Sequence, residues 1–224
     1  MTSRKDDPMS RLRVLVFDFD GVILESADVK TDAFVELYAA HGEAVVAKVR
    51  AHHLQNLGIS RFKKFDWIAE HVLGASITGE ESRVLGERFS ALALEKVLEA
   101  PFVRGADASL EALSREYPLY VASGTPHAEL EMIISSRGFG SWFREVHGAP
   151  REKPPILRDI ARRHELALDQ ILFIGDGMSD YNAAVEVGVE FLARDTPALH
   201  EQWLALKVRR VPDLVGLVDV VAAW

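Results

Sequence analysis

Three apolar runs in this chain stop abruptly at polar groups. The run Val14-Leu15-Val16-Phe17 ends in Asp18-Phe19-Asp20-Gly21. Leu119-Tyr120-Val121-Ala122 ends in Ser123-Gly124-Thr125, and Ile171-Leu172-Phe173-Ile174 ends in Gly175-Asp176, with Asp180 four residues further on. Lys153 stands beside Pro154 and Pro155 in a segment read as a loop. Two carboxylates two residues apart share one face of a regular strand. Such a pair repels unless a cation or a proton lies between its members. Open α/β sheets place their sites at the carboxyl ends of the strands, so in a parallel sheet these groups converge. Several carboxylates, one lysine and one hydroxyl around one point suit a divalent cation and an anionic substrate. Hard oxygen donors favour magnesium over zinc.

The rest of the chain has to position those groups. Short apolar runs of this kind read as buried strands, the first running from Arg13 to Leu24. Residues 26–99 read as helical throughout. Val29, Ala33, Phe34, Leu37 and Tyr38 form one stripe, with Gly42 as its stop. Ser60 is placed to cap a helix carrying Phe62, Phe65, Ile68, Ala69 and Val72, which Gly74 ends. Thr78 and Glu81 have the spacing of a capping box, and Pro101 closes the helix that follows. Beyond residue 100, strands and helices alternate. Thr125-Pro126 reads as a cap with proline at the first helical position, and Pro155 reads as the start of another helix. Val189 to Ala193 reads as a further strand. This alternation implies a parallel sheet between helices, an α/β Rossmann-like core with an inserted all-helical unit.

Composition narrows the classes. Of 224 residues, 48% are hydrophobic and 27% charged, as in a soluble globular protein. The net charge of −8 argues against nucleic acid or an anionic membrane surface as a partner. The absence of cysteine excludes disulfides, thiolate catalysis and zinc–thiolate sites. The polar start, Thr2 to Asp7, lacks the apolar segment of a signal peptide, and no apolar run is long enough to span a bilayer. A cytoplasmic protein is expected, with the oligomeric state, monomer or dimer, left open.

The polar groups, in this order, resemble the four motifs of the haloacid dehalogenase superfamily of phosphotransferases. The first is Asp18-Phe19-Asp20, the second Ser123, the third Lys153, and the fourth runs from Gly175-Asp176 to Asp180. The resemblance covers residues 12–24 and about 100–193. It implies a catalytic core of residues 12–25 and 100–224, and a helical cap of residues 26–99 moving on hinges at 23–27 and 100–104. It implies a magnesium-dependent phosphatase acting on a small phosphorylated metabolite through an aspartyl-phosphate. Asp18 is then the nucleophile and Asp20 the acid–base. Asp18, the backbone carbonyl of Asp20 and Asp176 hold magnesium, with Asp180 as ligand or neighbour. Ser123, the amide of Gly124 and Lys153 bind the phosphoryl group.

Within that cap, Gly58-Ile59-Ser60-Arg61 resembles the specificity loop of beta-phosphoglucomutase and related phosphatases, in which the arginine reaches a distal anionic group. Arg61 is thereby a candidate substrate ligand, with Lys63, Lys64, His52 and His53 near it in sequence. A sugar phosphomutase is the alternative enzyme, and a non-catalytic binding subunit the alternative outside enzymes. Read without the resemblance, Arg61, His52 and His53 are surface residues, Thr125 a helix cap, and Trp67, Trp142 and Trp203 packing residues.

Overall fold

The computed structural model describes residues 11–224, so the polar segment Thr2 to Asp7 lies outside the described residues. Six strands form one parallel sheet: β1 (Val14–Phe17), β2 (Leu119–Pro126), β3 (Glu145–Ala149), β4 (Ile171–Gly175), β5 (Glu190–Arg194) and β6 (Arg210–Val211). Their order is β3-β2-β1-β4-β5-β6. Every residue of β1 and of β4 is buried, as expected of central strands covered on both faces. Alternate side chains of β1 enter opposite layers. Leu15 and Phe17 join the larger cluster, while Val14 and Val16 pack with Ile156, Leu157 and Ile160. Strand order reverses at β1, which opens a crevice at the carboxyl ends of β1, β2 and β4. The fold is the α/β Rossmann-like class that the strand–helix alternation implies.

Helices α5 (Ala106–Leu113), α6 (His127–Ser136), α7 (Lys153–Arg163), α8 (Met178–Val187), α9 (His200–Leu206) and α10 (Leu217–Ala222) accompany the sheet. Between β1 and α5 run α1 (Ala27–Leu37), α2 (Glu43–Gln55), α3 (Arg61–Ile68) and α4 (Gly79–Glu99). These four pack around Phe34, whose ring centroid lies 5.7 Å from Phe65 and 4.7 Å from Phe89. The capping box at the start of α4 is formed: the Glu81 amide donates to Thr78 Oγ1 at 3.2 Å, and the Thr78 amide donates back to Glu81 Oε2 at 2.7 Å. The two chain crossings that bound the segment lie side by side, with Glu25 N donating to Pro101 O and Val103 N to Ile23 O, each at 2.9 Å. Among the described residues no helix is long and apolar enough to cross a membrane.

Several local expectations need correction. Strand β2 runs on through Thr125 to Pro126, which pairs with Ala149 beyond a register shift, and α6 starts only at His127. Thr125 is therefore a buried strand residue and not a cap. Helix α7 starts at Lys153 rather than Pro155, with Pro154 and Pro155 in its first turn. Lysine and both prolines fit there because the first helical amides need no partner within the helix. The first strand ends at Phe17, and residues 18–24 form a tight turn closed by a bridge between Asp20 and Leu24. The surface reading of Arg61 and His53 fails, since both are buried. His52 is half-buried and stacks on Trp67 with ring centroids 3.6 Å apart. Trp203 is fully buried, whereas Trp67 and Trp142 are half-buried against the core.

Candidate active site

Strands β1 and β4 and the turns after them deliver three carboxylates to one buried point. Asp18 leaves the end of β1, Asp176 the end of β4, and Asp180 the first turn of α8. One ligand oxygen from each lies within 4.8 Å of the others, and all three residues are buried. Asp180 Oδ2 accepts from the Gly177 amide at 3.0 Å, which fixes the carboxylate across the helix start. Lys153 reaches in from the first turn of α7, in hydrogen-bond contact with Asp180 Oδ1 and 3.2 Å from Asp18 Oδ2.

The electrostatics follow from three acids facing one lysine. Burial raises the Asp18 carboxyl to about 7; Asp180 and Asp20 add repulsion, against the opposing pull of Lys153. Burial, Asp18 and Asp180 push Asp176 well above the ordinary carboxylate range. Burial works against the Lys153 ammonium, but Asp18 and Asp180 outweigh it and hold the proton firmly. Asp18 Oδ1 is buried with no hydrogen-bond partner among the described residues. Oxygen-only donors, excess negative charge and an unpartnered carboxylate oxygen are what a hard divalent cation requires, so the donor set fits one.

The Asp20 side chain lies apart from this cluster. Its carboxylate accepts from Ser26 Oγ at 2.7 Å, from Thr125 Oγ1 at 2.9 Å and from Lys30 Nζ of α1. Burial alone would raise its proton affinity; Lys30, Ser26 and Thr125 overcome that and hold Asp20 below the carboxylate range. Ser123 is buried within β2, just beyond its pairing of Ala122 with His147, its Oγ accepting from the Thr125 amide at 3.1 Å. Gly124 meets the loop after α2 backbone to backbone. A Cβ on Gly124 would fall 2.5 Å from Gly58 O. A Cβ on Gly58 would fall 2.5 Å from Ser179 Oγ, 2.6 Å from Lys153 Nζ and 3.4 Å from Asp18 Oδ2, and Gly58 has φ +79°. Glycine is needed at both positions for the loop to lie directly over the carboxylates. Ser179 Oγ donates to Leu57 O at 2.5 Å and ties the loop to α8.

Arg61 sits at the buried start of α3 and forks onto Glu129 of α6, with NH1 3.0 Å from Oε2 and NH2 2.5 Å from Oε1; NH1 also donates to Ser90 Oγ at 2.7 Å. The guanidinium thus has a protein carboxylate as its partner. It still lines a small cavity of about 40 Å³ that Asp20, Lys30, His53, Lys64, Gly124 and Asp176 also border. Lys63, by contrast, is exposed and pairs with Glu152 at 2.5 Å.

The sequence profile of the haloacid dehalogenase-like hydrolases matches residues 12–188. The chain belongs to that family. No curated protein matches it significantly. Among solved structures, a predicted phosphoglycolate phosphatase from Haemophilus somnus is 18% identical with a TM-score of 0.70, over 95% of this chain and 99% of its own. A hydrolase from Pseudomonas syringae is 19% identical, TM-score 0.73, over 94% and 99%. A provisional beta-phosphoglucomutase from Bacteroides vulgatus is 16% identical, TM-score 0.76, over 97% and 93%. Identities this low show a shared fold. In this hydrolase, sequence reasoning missed Lys30 on Asp20, and it placed His53 and Lys64 near Arg61 without showing that the two form a buried pair. A lysine in the first turn of an otherwise apolar stripe was the available signal for Lys30.

Proposed function

We propose that the protein is a magnesium-dependent phosphatase acting on a small phosphorylated metabolite. The buried convergence of Asp18, Asp176 and Asp180 with Lys153 carries this reading. Asp18, the Asp20 backbone carbonyl and Asp176 would hold the metal, with Asp180 beside them. When bound, the cation offsets the repulsion between a phosphoryl group and the attacking carboxylate. Asp18 attacks phosphorus, the bond from phosphorus to the ester oxygen breaks, and Asp20 gives that oxygen a proton. Asp20 then takes a proton from water, whose oxygen attacks the aspartyl-phosphate. The bond between phosphorus and the Asp18 oxygen breaks, releasing phosphate and restoring the carboxylate. Acid–base catalysis of this kind is worth roughly 100- to 10,000-fold.

The hydrogen bonds to Asp20 favour its base role. An arriving phosphoryl dianion adds negative charge nearby, raises the proton affinity of Asp20 and prepares the acid role. Ser123, the Gly124 amide and Lys153 supply donors for the phosphoryl oxygens. Residues 26–99 act as the cap, opening about 23–27 and 100–104 to admit substrate and closing to exclude water.

The same closure supports a second reading. A sugar phosphomutase must shield its aspartyl-phosphate from water, and the Gly58 loop lies over Asp18. Phosphate release from a panel of phosphorylated metabolites, with magnesium, with chelator and in Asp18→Asn, tests the first reading. Metal-dependent release absent from the variant supports it. Isomerisation of a sugar phosphate faster than phosphate release overturns it in favour of the mutase.

A further inference from the structure

One cation in the cavity has no acidic partner. Lys30 is in contact with Asp20, and Arg61 with Glu129. Lys64, on α3, is 3% exposed and makes one hydrogen bond, 3.0 Å from its Nζ to His53 Nδ1 on α2. Among the described residues it has no ion pair with a carboxylate. Its other close neighbour is the Phe34 ring, 5.4 Å from Nζ to the centroid. His53 is 3% exposed as well, and its Nε2 is buried with no hydrogen-bond partner among the described residues.

The pairing fixes the imidazole's state. Lys64 donates to Nδ1, so the ring proton sits on Nε2. Burial, with Lys64, Lys30 and His52 adding to it, holds the ring neutral. The cavity wall therefore offers one amine without an acidic partner, which a bound anion would hold protonated, and one neutral ring N–H without an acceptor among the described residues. The remaining lining on the side of α1 to α4 is Ala27, Phe34, Leu57, Gly58, Ile59 and Phe89, which offers a ligand no side-chain hydrogen bonds. A buried charge without a partner is costly, and natural cores avoid it unless a ligand supplies the partner.

We infer that Lys64 and His53 form a subsite for a carboxylate carried by the same molecule as the phosphoryl group, so that the substrate is a phosphorylated carboxylic acid. One positive charge matches one carboxylate, whereas a second phosphate would bring about two negative charges to a wall holding one. The two donors come from adjacent helices, and a planar carboxylate can accept from both. Asp20 and Asp176 border the same small cavity as Lys64 and His53, so a compact ligand there would face both ends of the site. The inference rests on the phosphatase reading for the other end of the ligand.

Two probes differing only at that end test it: 3-phosphoglycerate, and glycerol 3-phosphate with hydroxymethyl in place of carboxylate. Calorimetric affinities are measured with magnesium in Asp18→Asn, which removes turnover, and in the same background with Lys64→Met or His53→Phe. Phosphate release by the unmodified enzyme is measured separately. The expected result is at least tenfold tighter binding of the carboxylate probe, with the ratio falling to near one in Lys64→Met and dropping severalfold in His53→Phe. Equal affinities, no binding of either probe, or a preference that survives Lys64→Met overturns the inference. Selective binding without phosphate release by the unmodified enzyme upholds the subsite and counts against the phosphatase reading. Unfolding curves for each variant confirm that it is folded.

Discussion

Lys64 carries its charge where water does not reach, and that has a consequence for stability. Burial is the main cause pulling its ammonium from 10.5 to about 7, with Lys30 and Lys153 adding to it; Asp20 and Asp18 pull the other way, and neutral His53 is its hydrogen-bond partner. Between pH 7 and 10.5 the unfolded chain binds a proton that the folded chain does not, so this group makes stability rise with pH across that window. Below pH 7 both states hold the proton and the full cost of burial is present. Lys64→Met should therefore raise stability most near pH 6.5, by about 1–3 kcal/mol. For a chain of this size that corresponds to roughly 3–8 °C in melting temperature. The gain should shrink towards pH 10. Thermal unfolding of both proteins from pH 6 to 10 checks this, and a gain independent of pH would contradict it. A lysine retained at such a cost marks a site kept for binding rather than for the core. Asp18 lies at the opposite extreme, since in the proposed mechanism its oxygen forms the covalent bond. Asp18→Asn should lower phosphate release about a thousandfold or more while leaving the fold intact.

At the level of elements, legibility depended on whether a segment's neighbours are local. Strands β1, β2 and β4 could be read because central parallel strands are apolar throughout. The α4 start could be read because its cap is closed by residues three apart. Thr78→Ala should cost about 1 kcal/mol and roughly 2–4 °C in melting temperature without altering phosphate release. Strand β3, Glu145–Ala149, alternates too weakly to be seen alone; β2 defines it. The Thr125-Pro126 pair satisfies a helix-start pattern, but pairing with Ala149 extends the strand and turns the Thr125 hydroxyl onto Asp20. Helix α2 buries only Val49 and His53, so no apolar stripe announces which face is inward. The motif carboxylates were legible because strand ends impose their position. Lys30, His53 and Lys64 were not, because their place depends on how α1, α2 and α3 pack.

For the whole molecule, three of the contacts that join the helical segment to the rest of the fold converge on the site. Lys30 meets Asp20, Leu57 O meets Ser179, and Arg61 meets Glu129. The last is the most enclosed. Arg61 is 4% exposed, its guanidinium carbon stands 4.5 Å from the Phe89 ring centroid, and Ser90 Oγ donates to Glu129 Oε2 at 2.6 Å. Removing Glu129 would leave a buried guanidinium without its counter-charge, and breaking such a pair costs about 3–5 kcal/mol when the fold cannot relax. In the proposed cap motion it can relax, because opening would return Arg61 to water. The cost should then appear in the closure equilibrium more than in unfolding. Glu129→Gln should lower kcat about tenfold or more, with a loss in melting temperature of only a few degrees, since about 1.4 kcal/mol taken from closure is a tenfold change in the closed population. Arg61→Ala should have a similar effect, and the double substitution should cost little beyond either single one because both remove the same contact. Steady-state kinetics and unfolding of the three variants measure that cycle. Additive losses in kcat would mean that Arg61 and Glu129 act separately, with Arg61 reaching substrate on its own.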